Sequence, residues 1–166
     1  MIARLLRTPD DVVLFVLRLT LGVVFIPHGL QKTLGWFGGY GFSDTMGFFT
    51  QSMGIPAVFA FLAIAAESVG ALGLVAGFLT RVAAFGISVV MAVALATVHW
   101  GHGFFMNWSG AQQGEGFEYH LLAIGIAAAL AIRGGGRWSI DRALSRDVEE
   151  QAVVHHSDTG IRVAAA

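Results

Sequence analysis

Four long apolar runs dominate the pattern of hydrophobic and polar positions along the chain. Each run is continuous and rich in alanine and leucine, and glycine-rich or charged segments separate one run from the next. A helix of roughly 17–25 apolar residues can cross a bilayer, whereas a membrane strand would alternate in polarity over about ten residues. The pattern therefore predicts an all-α integral membrane protein, a four-helix bundle with spans at about 12–33, 57–79, 82–100 and 117–132.

Arginine residues mark alternate ends of these runs. Arg4 and Arg7 precede the first run, and Arg81 separates the second from the third. The segment after the fourth run carries Arg133, Arg137, Arg142 and Arg146. With four spans, all of these segments fall on the same side of the membrane. Because loops rich in Lys and Arg stay in the cytoplasm, the sequence predicts that both termini are cytoplasmic.

Composition agrees with a membrane location and excludes several classes of protein. Hydrophobic residues make up 55% of the chain and charged residues 13%, whereas a soluble domain is about a quarter charged. The net charge of −1, without a basic stripe, gives no support for a nucleic-acid partner. The chain has no cysteine, which excludes disulfide exchange, iron–sulfur clusters and cysteine-type zinc sites.

Two glycine-rich, aromatic loops, at 35–55 and 101–116, are predicted on the outer side of the membrane. In the first loop Ser43 is placed to cap a short helix with Met46, Phe49 and Met53 on one face, a pattern typical of a helix at the membrane interface. Residues 1–142 then form the membrane domain, and 143–166 are expected to form a polar cytoplasmic tail.

Seven ionisable residues lie within the predicted spans, where a charge is costly and usually faces the bundle interior. They are Arg18, His28, Lys32, Glu67, His99, Glu118 and His120. At a rise of about 1.5 Å per residue, all except Arg18 and Lys32 share one level in the outer half of the membrane. Arg18 lies nearer the cytoplasm, and its side chain is long enough to extend toward the outer polar level. Glu118 and His120 are about 160° apart on a helix, so we expect Glu118 to face a neighbour or the loop instead of the pocket.

One interpretation of this polar level is a quinone site, because a quinone headgroup needs hydrogen-bond donors and a route for protons. Glu67 would accept protons, while Arg18 and Lys32 would set the charge of the site. His28 and His99 would orient the quinone ring. His120 and the aromatic Trp100 would complete the cofactor pocket.

Two other interpretations use the same residues. Imidazole and carboxylate groups suit transition metals, so His28, Glu67, His99 and His120 could together hold a single metal ion. Alternatively, the polar residues are structural: Arg18 and Glu67 form a neutral buried pair, and the histidines bond to the backbone.

A series of residues recurs in a familiar order along the chain. The first span carries Arg18, Gly22, Phe25, His28-Gly29 and Lys32. The later members are Glu67-x-x-Gly70, Gly77-Phe-Leu-Thr-Arg81-Val-Ala-Ala84, His99 with Gly103-Phe-Phe105, Glu118-Tyr119, and Gly134-Gly-Gly-Arg137-Trp-Ser139 with Asp141. This series, covering roughly 10–142, resembles the DoxX family of small bacterial membrane proteins.

The resemblance implies a four-helix bundle in the bacterial inner membrane. It also implies a link to quinone-coupled redox chemistry, since the founding members are similar to a subunit of thiosulfate:quinone oxidoreductase. We therefore expect an oxidoreductase subunit that meets the lipid bilayer, a membrane quinone and a redox partner protein. The alternative is a non-enzymatic membrane anchor for a redox enzyme. A small transporter is a third alternative, and it would require a homo-oligomer.

Overall fold

The computed structural model describes residues 5–145, and the regular secondary structure in that part of the chain is helical throughout. The bundle is built from α1 (Val12–Leu34), α2 (Gly41–Gly47), α3 (Ala57–Ala76), α4 (Thr80–His102) and α5 (Glu118–Arg133), and residues 140–145 are also helical. The all-α class is confirmed. Arg4, Arg146, and residues 146–166 of the predicted tail lie outside the described residues.

Three helices are long and apolar enough to cross a membrane, namely α1, α3 and α4. The fourth predicted span corresponds to α5, which is a helix of 16 residues and shorter than the others. Large hydrophobic side chains such as Val13, Phe59, Val69, Phe85 and Leu122 are exposed on the outside of the helices. Such a surface fits lipid as the surrounding solvent.

Local signals in the sequence set the ends of the helices. The Asp11 carboxylate accepts a hydrogen bond from the Val13 N–H at 2.8 Å and caps the start of α1. Gly35 ends α1 and Gly77 ends α3, each in the left-handed conformation that glycine adopts without strain. The second predicted span ran on to Leu79. It ends earlier because Gly77 breaks the helix and lets α4 begin at Thr80.

The four long helices pack as a bundle in which α1 lies against α3 and α4 lies against α5. Glycines allow the backbones to approach closely. A Cβ atom at Gly22 would lie 2.9 Å from the Ala71 carbonyl oxygen, and one at Gly86 would lie 3.1 Å from the Ala66 Cβ. Between the helices lies an apolar core formed by Leu14, Leu21, Phe25, Ala71, Leu74, Ala84, Ile87, Met91, Ala123, Ala127 and Leu130.

The short helix α2 continues as a π-helical turn over Phe48–Ser52 and packs on α1 and α3. It begins at Gly41, so Ser43 lies within the helix and the expectation that Ser43 caps it was wrong. Further π-helical turns occur at Ala66–Gly70 in α3 and at Leu95–His99 in α4. These turns shift the register of the following residues, and in other proteins they often accompany functional sites.

We call the two ends of the bundle the Lys32 end and the Arg18 end. The Lys32 end carries the loops at 35–56 and 103–117. The Arg18 end carries the turn between α3 and α4 and the segment that follows α5.

Candidate functional site

A buried ion pair joins α1 and α3 at the Lys32 end. The Lys32 ammonium contacts the Glu67 carboxylate, whose side chain is 4% exposed, while the Lys32 side chain is 23% exposed. Taking a carboxylate out of water is costly unless a counter-charge compensates it. The pair therefore allows Glu67 to keep a charge inside an apolar bundle.

Gly29 brings the two helices close enough for this contact. A Cβ atom at Gly29 would overlap the main chain of Glu67 and Ser68, so a side chain here would push α1 away from α3. Lys32 follows Gly29 by three residues and therefore shares its helix face. Glu67 lies in the π-helical turn Ala66–Gly70, which turns its carboxylate toward that face.

Two further polar residues surround Glu67. His28 on α1 lies near both Glu67 and Lys32, and Tyr119 on α5 lies near Glu67, each close enough to interact electrostatically. Phe25 packs against both of them, with ring centroids 5.7 Å from His28 and 6.5 Å from Tyr119. The buried carboxylate is thus bordered by α1 on one side and α5 on the other.

Two histidines extend this group toward α4. The rings of His99 and His120 have centroids 4.1 Å apart, and His120 also lies near His28. The His99 Nδ1 is 2.8 Å from the Glu115 carbonyl oxygen. Because a carbonyl can only accept a hydrogen bond, Nδ1 of His99 is the protonated nitrogen. We call Lys32, Glu67, His28, Tyr119, His120 and His99 the polar cluster.

Apart from the Glu67 Oε2, which contacts the Lys32 ammonium, two polar atoms of this cluster are buried and, among the described residues, have no hydrogen-bond partner. They are the Tyr119 hydroxyl and the His120 Nδ1. A buried polar group without a partner costs about 1–3 kcal/mol, and native proteins contain few of them. Both atoms can act as donors, so the pair has the chemistry to bind a ligand with two acceptor oxygens.

A cleft opens beside the cluster at the Lys32 end. Its volume is about 220 Å³, and its lining includes Gln31, Lys32, Tyr40, Thr45 and Phe48. The lining combines residues of α1, α2 and the loop that joins them. Lys32 therefore borders the cleft and also contacts the buried Glu67 carboxylate.

Arg18 lies at the opposite end of the bundle, away from the polar cluster. It is 1% exposed, and its guanidinium donates to main-chain carbonyl oxygens at the ends of α3 and α5. The partners are Gly135 at 2.9 Å, Leu74 at 2.9 Å and Trp138 at 2.8 Å, together with Val75 and, at 3.5 Å, Arg137. Arg18 does not reach the outer polar level, and the alternative in which it pairs with Glu67 is not what the structure shows. The guanidinium binds nearer carbonyl groups, and Lys32 is the ion-pair partner of Glu67.

Asp141 completes the arrangement at the Arg18 end. Its carboxylate accepts hydrogen bonds from the Leu79 and Thr80 N–H groups, at 2.7 and 2.8 Å, and so caps the start of α4. Its own N–H donates to the Gly77 carbonyl oxygen at 2.9 Å. A Cβ atom at Gly77 would lie 2.9 Å from the Arg18 Cζ, so this glycine makes room for the guanidinium.

The remaining predicted residues face the loops. Trp100 is 66% exposed and stacks on Phe117 with 5.4 Å between ring centroids, so it lies beside the cluster and does not enclose it. The Glu118 carboxylate accepts a hydrogen bond from the Met106 N–H at 3.0 Å. This agrees with the expectation that Glu118 faces the loop.

Of the four proposed metal ligands, only some lie in contact with one another. His99 and His120 contact each other, whereas Glu67 is bound to Lys32. Within residues 5–145, no three His, Asp or Glu side chains are grouped closely enough to hold a metal ion. The metal interpretation therefore gains no support from the geometry and stays a prediction.

Sequence reasoning missed the roles of Tyr119 and Asp141, although both belong to the residue series that carries the family resemblance. Tyr119 has no charge, and Asp141 lies outside the predicted spans, so a search for ionisable residues in apolar segments passes over both. A search for any polar group in the first turn of a span would have found Tyr119.

Comparison with known proteins gives a consistent result. The family model described as DoxX matches residues 13–100. The chain is 31% identical over 138 residues to the inner membrane protein YqjF of Escherichia coli (strain K12), a match that covers 82% of this chain and 95% of that protein. No solved structure matches the chain significantly.

Proposed function

Because the chain belongs to the DoxX family and is an inner membrane protein, we propose that it binds the headgroup of a membrane quinone at the polar cluster. In this proposal it serves as the membrane subunit of a quinone-linked redox system. The supporting observation is that two buried donors, the Tyr119 hydroxyl and the His120 Nδ1, are without partners beside the Lys32–Glu67 pair.

The donor set fits a quinone. A quinone headgroup is a flat ring with two carbonyl acceptors, and each carbonyl needs one donor when it leaves water. The Tyr119 O–H and the His120 Nδ1–H can supply one donor each. Phe25, which packs against Tyr119 and His28, offers an apolar face next to the ring. Thus the cluster combines two directional donors with aromatic surface, as small-molecule sites generally do.

When bound, a quinone would supply the redox chemistry, in which two electrons from an electron-donating partner protein and two protons convert it to a quinol. Glu67 holds one exchangeable proton position at its carboxylate, and Lys32 stabilises the charged form between transfers. In this proposal His28, which lies near Glu67, and His99, which contacts His120, orient the quinone ring. Arg18 has a positioning role at the other end of the bundle.

The proposal includes four membrane spans with both termini in the cytoplasm. Helix α5 has 16 residues, which at about 1.5 Å each measures about 24 Å, somewhat less than the hydrocarbon core of about 30 Å. It packs along α4, which is long enough to cross. Arg7, Arg81 and Arg133 then lie at one end of the bundle, as the positive-inside rule requires of cytoplasmic segments.

Quinone binding by the purified protein in mild detergent tests the proposal. A short-chain ubiquinone is titrated, and quenching of tryptophan fluorescence gives the dissociation constant. Tyr119→Phe removes one donor worth about 1 kcal/mol and should weaken binding about fivefold. Tyr40→Phe is the matched control, because it removes the hydroxyl of the exposed second tyrosine and should leave the affinity unchanged.

A second pair of variants tests the carboxylate. Glu67→Gln should abolish quinone-dependent turnover in membranes that contain the electron-donating partner, while the exposed control Glu115→Gln should retain it. The proposal fails if Tyr119→Phe and Tyr40→Phe bind the quinone equally well, or if folded Glu67→Gln keeps full turnover. Normal partner activity in a Lys32→Met/Glu67→Leu double variant would instead identify the chain as a non-enzymatic anchor, since apolar residues can often replace a structural ion pair.

A further inference from the structure

The buried carboxylate of Glu67 is connected to the surface at one end of the bundle. Lys32 lines the cleft of about 220 Å³ at the Lys32 end and contacts the Glu67 carboxylate with its ammonium group. The rest of the lining includes polar groups of Gln31, Tyr40 and Thr45. A roomy cleft with polar walls can hold water. The Lys32 side chain therefore connects this cleft with the buried carboxylate.

The opposite direction is closed by packed hydrophobic side chains. On each long helix, buried apolar residues lie between the polar cluster and the Arg18 end. They are Leu21 and Phe25 on α1, Ala71 and Leu74 on α3, Ala84, Ile87 and Met91 on α4, and Ala123, Ala127 and Leu130 on α5. Interiors of this kind have few voids as large as a water molecule. No water chain can therefore run from Glu67 to the Arg18 end without separating these residues.

The groups that face Glu67 determine what can exchange protons with it. From α1 these are Lys32 and His28, and from α5 it is Tyr119. Helix α4 presents small apolar residues to this part of α3: a Cβ atom at Gly86 would lie 3.1 Å from the Ala66 Cβ, and one at Gly70 would lie 3.8 Å from the Ala83 Cβ. Of the three polar neighbours, Lys32 alone lines the cleft.

From this arrangement we propose that the cleft beside Lys32 is the aqueous entrance to Glu67, so that this carboxylate exchanges protons only with the compartment at the Lys32 end. Lys32 acts as the gate residue, because its ammonium must move for water to reach the carboxylate. The inference rests on the proposed function for its biological purpose, but its test does not involve a quinone. With the orientation proposed above, the protons of the quinone reaction would be exchanged on the outer side of the membrane.

The absence of cysteine makes the chain a natural background for single-cysteine labelling. A Lys32→Met/Glu67→Cys double variant puts a thiol at the carboxylate position and leaves no unpaired buried charge. Only the thiolate reacts with thiol reagents, so labelling requires both access and loss of the proton to water. The probe is a cationic, membrane-impermeant methanethiosulfonate, applied to right-side-out and to inside-out membrane vesicles.

Two reference variants identify the ends of the bundle. Gln112→Cys lies in the loop at the Lys32 end, and Ser145→Cys lies at the Arg18 end. The expected result is that Cys at position 67 is labelled in the same vesicles as Gln112→Cys and is protected in those that label Ser145→Cys. Thr45→Cys keeps the ion pair intact and should show the same sidedness, which covers the case in which the double variant does not fold.

The inference is overturned if the cysteine at position 67 is labelled in the vesicles that label Ser145→Cys. It is also overturned if the cysteines at positions 45 and 67 are protected in both kinds of vesicle. The result is independent of the quinone titration. Sided labelling together with unchanged quinone affinity in Tyr119→Phe would refute the proposed function and leave the aqueous entrance in place. Normal quinone binding without sided labelling would do the reverse.

Discussion

Replacing Arg18 should remove the connection between the two chain segments that meet at the Arg18 end. Arg18→Met leaves the carbonyl oxygens of Val75, Gly135 and Trp138 without this buried donor. The hydrogen bond to Gly135 is buried and those to Val75 and Trp138 are part-buried, so at about 1 kcal/mol for each lost hydrogen bond the change costs about 3 kcal/mol. Total stabilities of about 5–15 kcal/mol are typical, so this single change removes a large share.

Arg18→Lys distinguishes the contribution of the positive charge from that of the guanidinium's hydrogen-bond geometry. Lysine keeps the positive charge but carries a single ammonium, which cannot reproduce the planar fork of a guanidinium. We expect at least one of the charged hydrogen bonds to be lost, at about 1.5–3 kcal/mol. The lysine variant should therefore fall between the wild type and Arg18→Met in stability.

Thermal unfolding in mild detergent, followed by size-exclusion chromatography of the folded fraction, measures these differences. A loss of 1 kcal/mol lowers the Tm of a chain of this size by about 2–4 °C, so Arg18→Met should lower it by at least about 6 °C. Arg137→Lys is the matched control. Arg137 binds Asp10 on the exposed surface, where solvent screens the pair, so its effect should be small.

The opposite result would refute this reasoning. If Arg18→Lys unfolds at the wild-type temperature but no longer binds the quinone, then Arg18 acts in the site and not in the fold. If Arg18→Met is as stable as the wild type, the carbonyl partners contribute nothing to folding.

Three further predictions concern the helix contacts and the termini. Gly29→Ala forces α1 away from α3 and should cost about 1–3 kcal/mol in the same thermal assay. Gly125→Ala is the control, because the space around Gly125 is open, and it should be neutral or slightly stabilising. Equal effects of the two variants would contradict the close crossing of α1 and α3. Asp141→Ala removes the carboxylate at the start of α4 and should cost about 0.5–2 kcal/mol, and an unchanged Tm would exclude this capping role. The hydrogen bond from Arg137 lowers the pKa of Asp10 below its usual 3.8. The ionised form therefore stabilises the folded state at neutral pH, and this small contribution is lost as the pH falls below about 4, so Asp10→Asn should flatten the acid side of the stability curve.

The fold was predictable because lipid imposes a simple rule on the sequence. Every residue of a spanning helix must be compatible with hydrocarbon, so the length of an apolar run gives the length of the helix. Thus α1 begins at Val12 as predicted, and α5 covers Glu118–Arg133 where the fourth run was expected at 117–132. The end of α3 was missed by three residues, because hydropathy does not register the left-handed conformation of Gly77.

The polar cluster was predictable in part, by depth. Helical rise placed Glu67, His28, His99 and His120 at one level, and the structure brings these residues into one neighbourhood. The pairing of Lys32 with Glu67 depends on two features that no periodicity reports. These are the close crossing at Gly29 and the π-helical turn that rotates Glu67.

Arg18 shows the limit of reasoning from side chains alone. A buried arginine suggests an acidic partner, and Glu67 was the acidic residue available in the neighbouring spans. The actual partners are carbonyl oxygens of the main chain. Every residue has such a carbonyl, so the sequence carries no mark that distinguishes Gly135 or Trp138 as acceptors. The glycine-rich turn after α5 indicated an unusual backbone conformation, but it did not indicate that its carbonyl groups bind the Arg18 guanidinium.

The contacts of Arg18 also constrain the order in which the protein is made. Arg18 enters the membrane with the first helix, while Gly135 and Trp138 follow 117 and 120 residues later. A guanidinium in the hydrocarbon core costs about 2.5–3.5 kcal/mol on insertion scales until its partners arrive. The carbonyl groups of Leu74 and Val75 become available with α3, but the remaining acceptors become available only when the ribosome has passed the end of α5. A chain that stops before Gly135 would contain every long helix and still lack two of the buried arginine's acceptors, so the last turn of the sequence is needed to complete a contact that begins in the first helix.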